Sequence, residues 1–190
     1  MRSWYHGPSV NFSLREFNSD FLDVIQLDDK IIPREYCCIK DEQQVNRGLV
    51  GQFYNVSSAP VVVLDSRTIL IPQFSFEGTR PPVVLKDAWI FAGKGHVDKG
   101  SGKQSLIVAK DTPQHHCPLT KDYSGNTDLK ILLPRQQTVY DINYISVFCY
   151  EYAVDFGHVY FDLSPQDVPV PPYIPPIQNE PSTVIPIIPC

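Results

Sequence analysis

Five cysteines and one histidine pair carry most of the reactive chemistry in these 190 residues. Thiolate sulfur is a nucleophile, a metal ligand and a redox group, so the surroundings of each cysteine decide what the chain can do. Cys149 lies inside Tyr144-Ile145-Ser146-Val147-Phe148-Cys149-Tyr150, a run of aromatic and β-branched residues that reads as a strand. Alternation along that strand puts Cys149 on one face with Ile145 and Val147, and sends Tyr144, Phe148 and Tyr150 to the other. If the first face is core, the thiol is desolvated and inert. Its neighbours Phe148, Tyr150 and Glu151 supply no cation to hold a thiolate. Cys37, Cys38, Cys117 and Cys149 can instead pair as disulfides. A bond between adjacent Cys37 and Cys38 would close a strained ring, which leaves 37–149 with 38–117, or 37–117 with 38–149, and Cys190 over.

Weaker fragments surround this one. His115-His116-Cys117 offers the nitrogen and sulfur ligands that zinc and copper favour. Adjacent residues in extended chain point apart, so the expectation is a surface loop holding a disulfide, with no metal centre. The run from Gly93 to Lys103 has Gly95 and Gly100 at a phosphate-loop interval, but Ser101 stands where lysine belongs and no helical pattern follows. It reads as a flexible inter-strand loop. Ser75, His158 and Asp141 can be drawn as a hydrolytic triad, without a nucleophile elbow to support it. No catalytic residue is expected, and His158 reads as a strand-end side chain satisfied by a local hydrogen bond. Asn11 and Asn55 each open an Asn-X-Ser glycan acceptor.

The elements that position these residues are mostly short strands. From Gly48 onward, strands are expected near 49–54, 61–65, 68–76, 88–92, 105–110, 129–132 and in two parts of 140–161, with turn chemistry between them. Ser124-Gly125-Asn126 is among the expected turns, and Pro72 inside a strand argues for an edge or a bulge. No helical period interrupts the series, so the fold class is all-β, an antiparallel sandwich or barrel. An irregular N-terminal arm at 1–46 precedes the β domain of 47–164. Nine of the 18 prolines fall in 165–190, which reads as an extended linker or tail spacing the domain from a neighbour.

A net charge of −5 and a pI near 5.4, without a basic cluster, set nucleic acid aside as a partner. No apolar run approaches the roughly 20 residues of a spanning helix, so no direct membrane insertion is expected. The N-terminus has no signal-peptide hydrophobic segment. Cysteine content and the acceptor tripeptides point outward, to an extracellular glycoprotein with disulfides. A chain cut from a longer secreted precursor reconciles the two.

Between Gly48 and Phe161 the order of short strings resembles the DM-thirteen domain family, the DOMON-associated module of Skeletor-type and Knickkopf-type proteins. The strings are Asp65 before Ile69-Leu70-Ile71, Phe74-Ser75-Phe76-Glu77-Gly78, Asp87-Ala88-Trp89-Ile90-Phe91-Ala92-Gly93, Leu132-Leu133-Pro134, Asp141-Ile142, Ser146-Val147-Phe148-Cys149 and Val154-Asp155-Phe156-Gly157-His158. The resemblance implies an extracellular all-β module whose recurring cysteine, here Cys149, has been proposed to serve redox chemistry or haem association. Asn55 and Ala59 replace a His and a Gly common in members, and Glu77 replaces an Asp, which weakens any haem role for that His. The expectation is a non-enzymatic binding or adaptor module that meets extracellular proteins or matrix polysaccharide and needs no cofactor. The alternative is a redox module using Cys149, with haem or copper on a partner domain.

Overall fold

The computed structural model describes Val45 and residues 47–79, 85–112 and 114–175. Asn11, Cys37, Cys38 and Cys190, all of the expected arm except Val45, and residues 176–190 lie outside the described residues. Nine strands are found among the described residues, and every pairing between them is antiparallel. They are β1 (Val50–Gly51), β2 (Val62–Val63), β3 (Thr68–Phe76), β4 (Ala88–Gly93), β5 (Gly102–Gln104), β6 (Leu106–Ile107), β7 (Tyr123–Leu132), β8 (Tyr144–Cys149) and β9 (Val154–Tyr160). Sheet one runs β1-β9-β8-β4-β5 and sheet two β2-β3-β7-β6.

This is the expected all-β sandwich, and its edges are stitched. Only Ser105 separates β5 from β6, so the chain passes from one sheet to the other in a single step, with Ser105 N donating to Ile90 O at 2.9 Å. At the opposite edge Ser57 bridges Val50 of sheet one and Ser75 of sheet two. Between the sheets lies one main core, with Ile69, Ile71, Phe74, Phe76, Ile131, Ile145, Val147 and Phe156 among its members.

Several strand limits differ from expectation for local reasons. Sheet pairing of the first strand stops at Gly51, because residues 52–55 turn and put Tyr54 and Asn55 at φ 53° and 51°. After Ile107 the chain turns through Ala109 at φ 68°, so the sixth strand is shorter than 105–110. Ser124-Gly125-Asn126 is not a turn between strands. It is a bulge within β7, where Phe74 faces Thr127 and Ser75 faces Ser124, with Gly125 at φ 81°. Pro72 sits in a second bulge of the same pairing, between Ile71 opposite Leu129 and Phe74 opposite Thr127. There Gln73 takes φ 50° and its N–H donates to Asp128 Oδ1 at 2.9 Å. Gly102 and Lys103, read as loop, pair with β4 together with Gln104.

Two further readings change. The loop 94–101, expected to be flexible, is held by hydrogen bonds near both ends: Lys94 N to Ser101 O at 3.0 Å, Gly95 N to Asn143 Oδ1 at 2.9 Å and Gly100 N to Asp98 Oδ1 at 2.7 Å. The described part of the proline-rich segment does not leave the domain as a linker. It lies along it, with Ser66 N donating to Pro171 O at 2.8 Å and Tyr173 N to Ser66 Oγ at 2.9 Å.

Sheet one is closed by a glycine pair, Gly51 opposite Gly157. A Cβ on Gly157 would lie 2.5 Å from Gly51 Cα and 2.8 Å from Val56 Cγ1. Backbone cannot yield as a side-chain tip can, so Gly157→Ala should cost about 1–3 kcal/mol. Chemical denaturation of the two chains measures it, and an unchanged midpoint would contradict this packing.

Candidate functional site

The site is organised by β8, all six of whose residues are buried. Alternation divides them. Ile145, Val147 and Cys149 face the main core, while Tyr144 and Phe148 join Phe91 and Val97 in a separate cluster on the outer face of sheet one. Ser146 lies on that outer face too, fully buried.

Cys149 is a free thiol, 1% exposed, paired in register with Ala88 and Val154. Both fully paired disulfide schemes used Cys149, and neither describes this structure, because the side chain points between the sheets among apolar neighbours. Among the described residues no hydrogen-bond partner reaches its sulfur. Its side chain belongs to the main apolar core. Cys117 is disulfide-bonded, and its partner lies outside the described residues. That removes the thiolate from His115-His116-Cys117, although His115 Nε2 is 3.4 Å from Cys117 Sγ. The loop is tied down by Asp111, which accepts from Cys117 N at 3.3 Å and Ile107 N at 2.8 Å, and by Lys110 Nζ donating to Pro118 O at 2.9 Å. Among the described residues no group of three His, Cys, Asp or Glu side chains could hold a metal ion.

Ser75, His158 and Asp141 are not brought together. Ser75 exchanges backbone hydrogen bonds with Ser57, and Asp141 Oδ2 accepts from Thr138 N and Oγ1 at 2.8 and 2.7 Å. Those two donors hold the Asp141 carboxyl below its ordinary range. A different trio exists that sequence reasoning missed. On the outer face Asp155 accepts from Ser146 Oγ at 2.7 Å through Oδ1, and its Oδ2 meets His158 Nδ1 at 2.5 Å. Gly157 N adds a third bond to Oδ1 at 3.1 Å. The order is wrong for acyl transfer, since the carboxylate stands between serine and histidine and the imidazole cannot take the serine proton. What the carboxylate does is orient the imidazole, as ligand and base histidines are oriented elsewhere.

Rings cover the rest of this face. Phe91 stacks on Phe148 at 5.0 Å, Tyr144 lies 6.5 Å from Phe91, Tyr160 6.1 Å from Tyr144, and His158 4.7 Å from Tyr160. Tyr144 is buried because Gly93 and Gly102, paired across β4 and β5, leave room for its hydroxyl. A Cβ on either would stand within 2.4 Å of that oxygen. Burial raises the Tyr144 phenol above its ordinary value, and the 2.7 Å contact with Ser101 Oγ works against that. Loop 94–101 contributes Val97 to the buried cluster and sets Lys99 Nζ 4.5 Å from the Tyr150 ring centroid. Beyond the loop the face stays open: Val50, opposite His158, is 71% exposed, and Tyr160 38%.

A family model described as "Electron transfer DM13" matches residues 49–161. The chain belongs to the DM13 family. Protein Skeletor isoforms B/C and D/E of Drosophila melanogaster are each 33% identical over 119 residues, 63% of this chain. That stretch is 13% and 7% of those relatives, so the chain spans a small part of their length. No solved structure matches.

In this DM13 domain the strings that carry the family resemblance are largely framework. Asp65 Oδ1 caps the β2–β3 turn by accepting from Arg67 N and Thr68 N, both at 2.8 Å. Asp87 Oδ1 accepts from Trp89 Nε1 at 2.6 Å, and Asp141 closes its own turn. Asn55 is exposed, and its Nδ2 donates to Glu77 Oε1 at 3.1 Å, which joins two of the three positions where the sequence departs from the family pattern.

Cys149→Ser tests the apolar character of the thiol pocket. A hydroxyl there has no partner to bond, so the variant should lose about 1–3 kcal/mol in denaturant titration. Unchanged stability would mean that the pocket is polar or hydrated.

Proposed function

We propose that this DM13 domain is a non-enzymatic binding or adaptor module of an extracellular assembly, presenting the outer face of sheet one to other extracellular proteins or to matrix polysaccharide. The observation that carries the reading is the enclosure of Cys149: its thiol is free, yet 1% exposed on the inner face of a strand buried on both sides. A sulfur in that position packs and does not exchange with solutes. Support for a binding face comes from Val50, His158 and Tyr160, which stand together at the open side of the ring array. Tyrosine and histidine rings offer an apolar body and a polar tip, suited to stacking on sugar rings or to a protein contact. A glycan on Asn55 would place the domain outside the cell.

The second reading is electron transfer. It takes support from the family description and from the one feature that the disulfide schemes did not anticipate, a Cys149 free of any bond. In that reading haem or copper resides on a partner domain, and the thiol is the residue that changes oxidation state.

A single comparison separates the two. Wild type and Cys149→Ala are mixed with a one-electron reductant and a haem-protein electron carrier, and carrier reduction is followed by absorbance. The adaptor reading predicts identical rates with either chain. A rate raised by wild type and lost in Cys149→Ala would transfer the assignment to redox work.

A further inference from the structure

The cleft between the β2–β3 turn and Tyr140 grips the proline-rich segment by its backbone. Tyr140 Oη donates to Val168 O and accepts from Val170 N, both at 2.9 Å, so one phenol brackets two residues of the segment. Ser66 does the same further along, donating its N–H to Pro171 O at 2.8 Å and accepting from Tyr173 N at 2.9 Å through Oγ. The Arg67 guanidinium stands 4.8 Å from the Tyr173 ring centroid and is itself fixed by donation from Nη2 to Leu133 O at 2.6 Å. Val168 and Val170 pack against the main core beside Tyr140. Pro169, Pro171 and Pro172 face outward.

This arrangement reads a sequence. Proline has no N–H, so the stretch Val168-Pro169-Val170-Pro171-Pro172-Tyr173 offers three backbone donors, and each has an acceptor: Ser164 O for Val168, Tyr140 Oη for Val170 and Ser66 Oγ for Tyr173. Shifting the segment by one residue would put a proline where the cleft provides an acceptor, and would turn the valines away from the core. Prolines also restrict the free segment in advance, which lowers the ordering cost of seating it.

We propose that this cleft is a recognition groove for a proline-rich peptide of the Val-Pro-Val-Pro-Pro-Tyr pattern, and that its occupant is the chain's own segment, seated as a releasable strap. The strap fixes the direction in which the chain leaves the domain. Displacing it opens a site that accepts the same pattern as a separate peptide.

The test uses the full chain with Val168→Asp and Val170→Asp to free the groove. A synthetic peptide of residues 165–175 is then titrated in and followed by calorimetry, with a scrambled peptide of the same composition as the control. Saturable one-to-one binding of the native peptide is expected, at least about tenfold tighter than the scramble and about tenfold weaker once Tyr140→Phe removes the bracketing hydroxyl. No binding, or equal binding of the scramble, to a chain that still unfolds cooperatively would overturn the proposal. Should the double substitution unfold the domain, Tyr140→Phe alone decides. Chymotryptic cleavage after Tyr173 is expected to quicken about tenfold relative to wild type, and an unchanged rate would refute a groove held by that hydroxyl.

Discussion

Burial of β8 on both faces is the constraint from which the other features follow. A strand in a two-layer sandwich normally has one face in the core and one toward water. Here the inner residues Ile145, Val147 and Cys149 meet the opposing sheet, and the outer residues Tyr144, Ser146 and Phe148 are closed over with help from Val97 of loop 94–101. Such a strand cannot slip by one residue without driving Ser146 into the core and Cys149 onto the outer face. The glycine pairs answer the same demand: Gly93 and Gly102 leave space for the Tyr144 hydroxyl, and Gly51 and Gly157 let β1 close against β9.

Much of this was legible from residue types. Alternation divided Ile145, Val147 and Cys149 from Tyr144 and Phe148 along the line that separates the two buried clusters, because a period of two is imposed by backbone geometry whatever the tertiary context. Pro72 argued for an edge or a bulge, since it has no donor for a ladder, and the register shows a bulge. Where the reading missed, the deciding contact was distant in sequence. Ser124-Gly125-Asn126 has the chemistry of a turn, and only the register of β7 against β3 makes it a bulge inside a strand. Gly102 and Lys103 look like loop, and their pairing with β4 depends on a fold-back across residues 94–101. The prolines of 168–173 carry linker composition, yet Tyr140 and Ser66, far upstream, hold them down.

The candidate site was half legible. Cys149 was marked by its strand, but whether it was bonded or free could not be read, because that depends on which way the strand faces and on what else reaches that side. In the Ser146–Asp155–His158 trio the local hydrogen bond expected of His158 is the one to Asp155, three residues before it, whereas Ser146 left no signal, since its place rests on the register of the β8–β9 pairing. Of the aspartates in the family strings, Asp65, Asp87 and Asp141 shape turns and strand ends, and Asp155 holds His158 and Ser146. What distinguishes this domain chemically is therefore an enclosed sulfur and an outer face of rings rimmed by Val50, His158 and Tyr160.

The enclosure of that sulfur is measured most directly by labelling Cys149 with a small thiol reagent in the native chain, without reductant, across a denaturant series. The account predicts a rate that climbs in step with unfolding and in water lies about a thousandfold or more below that of the unfolded chain. A rate close to that of an exposed thiol and indifferent to denaturant would contradict it.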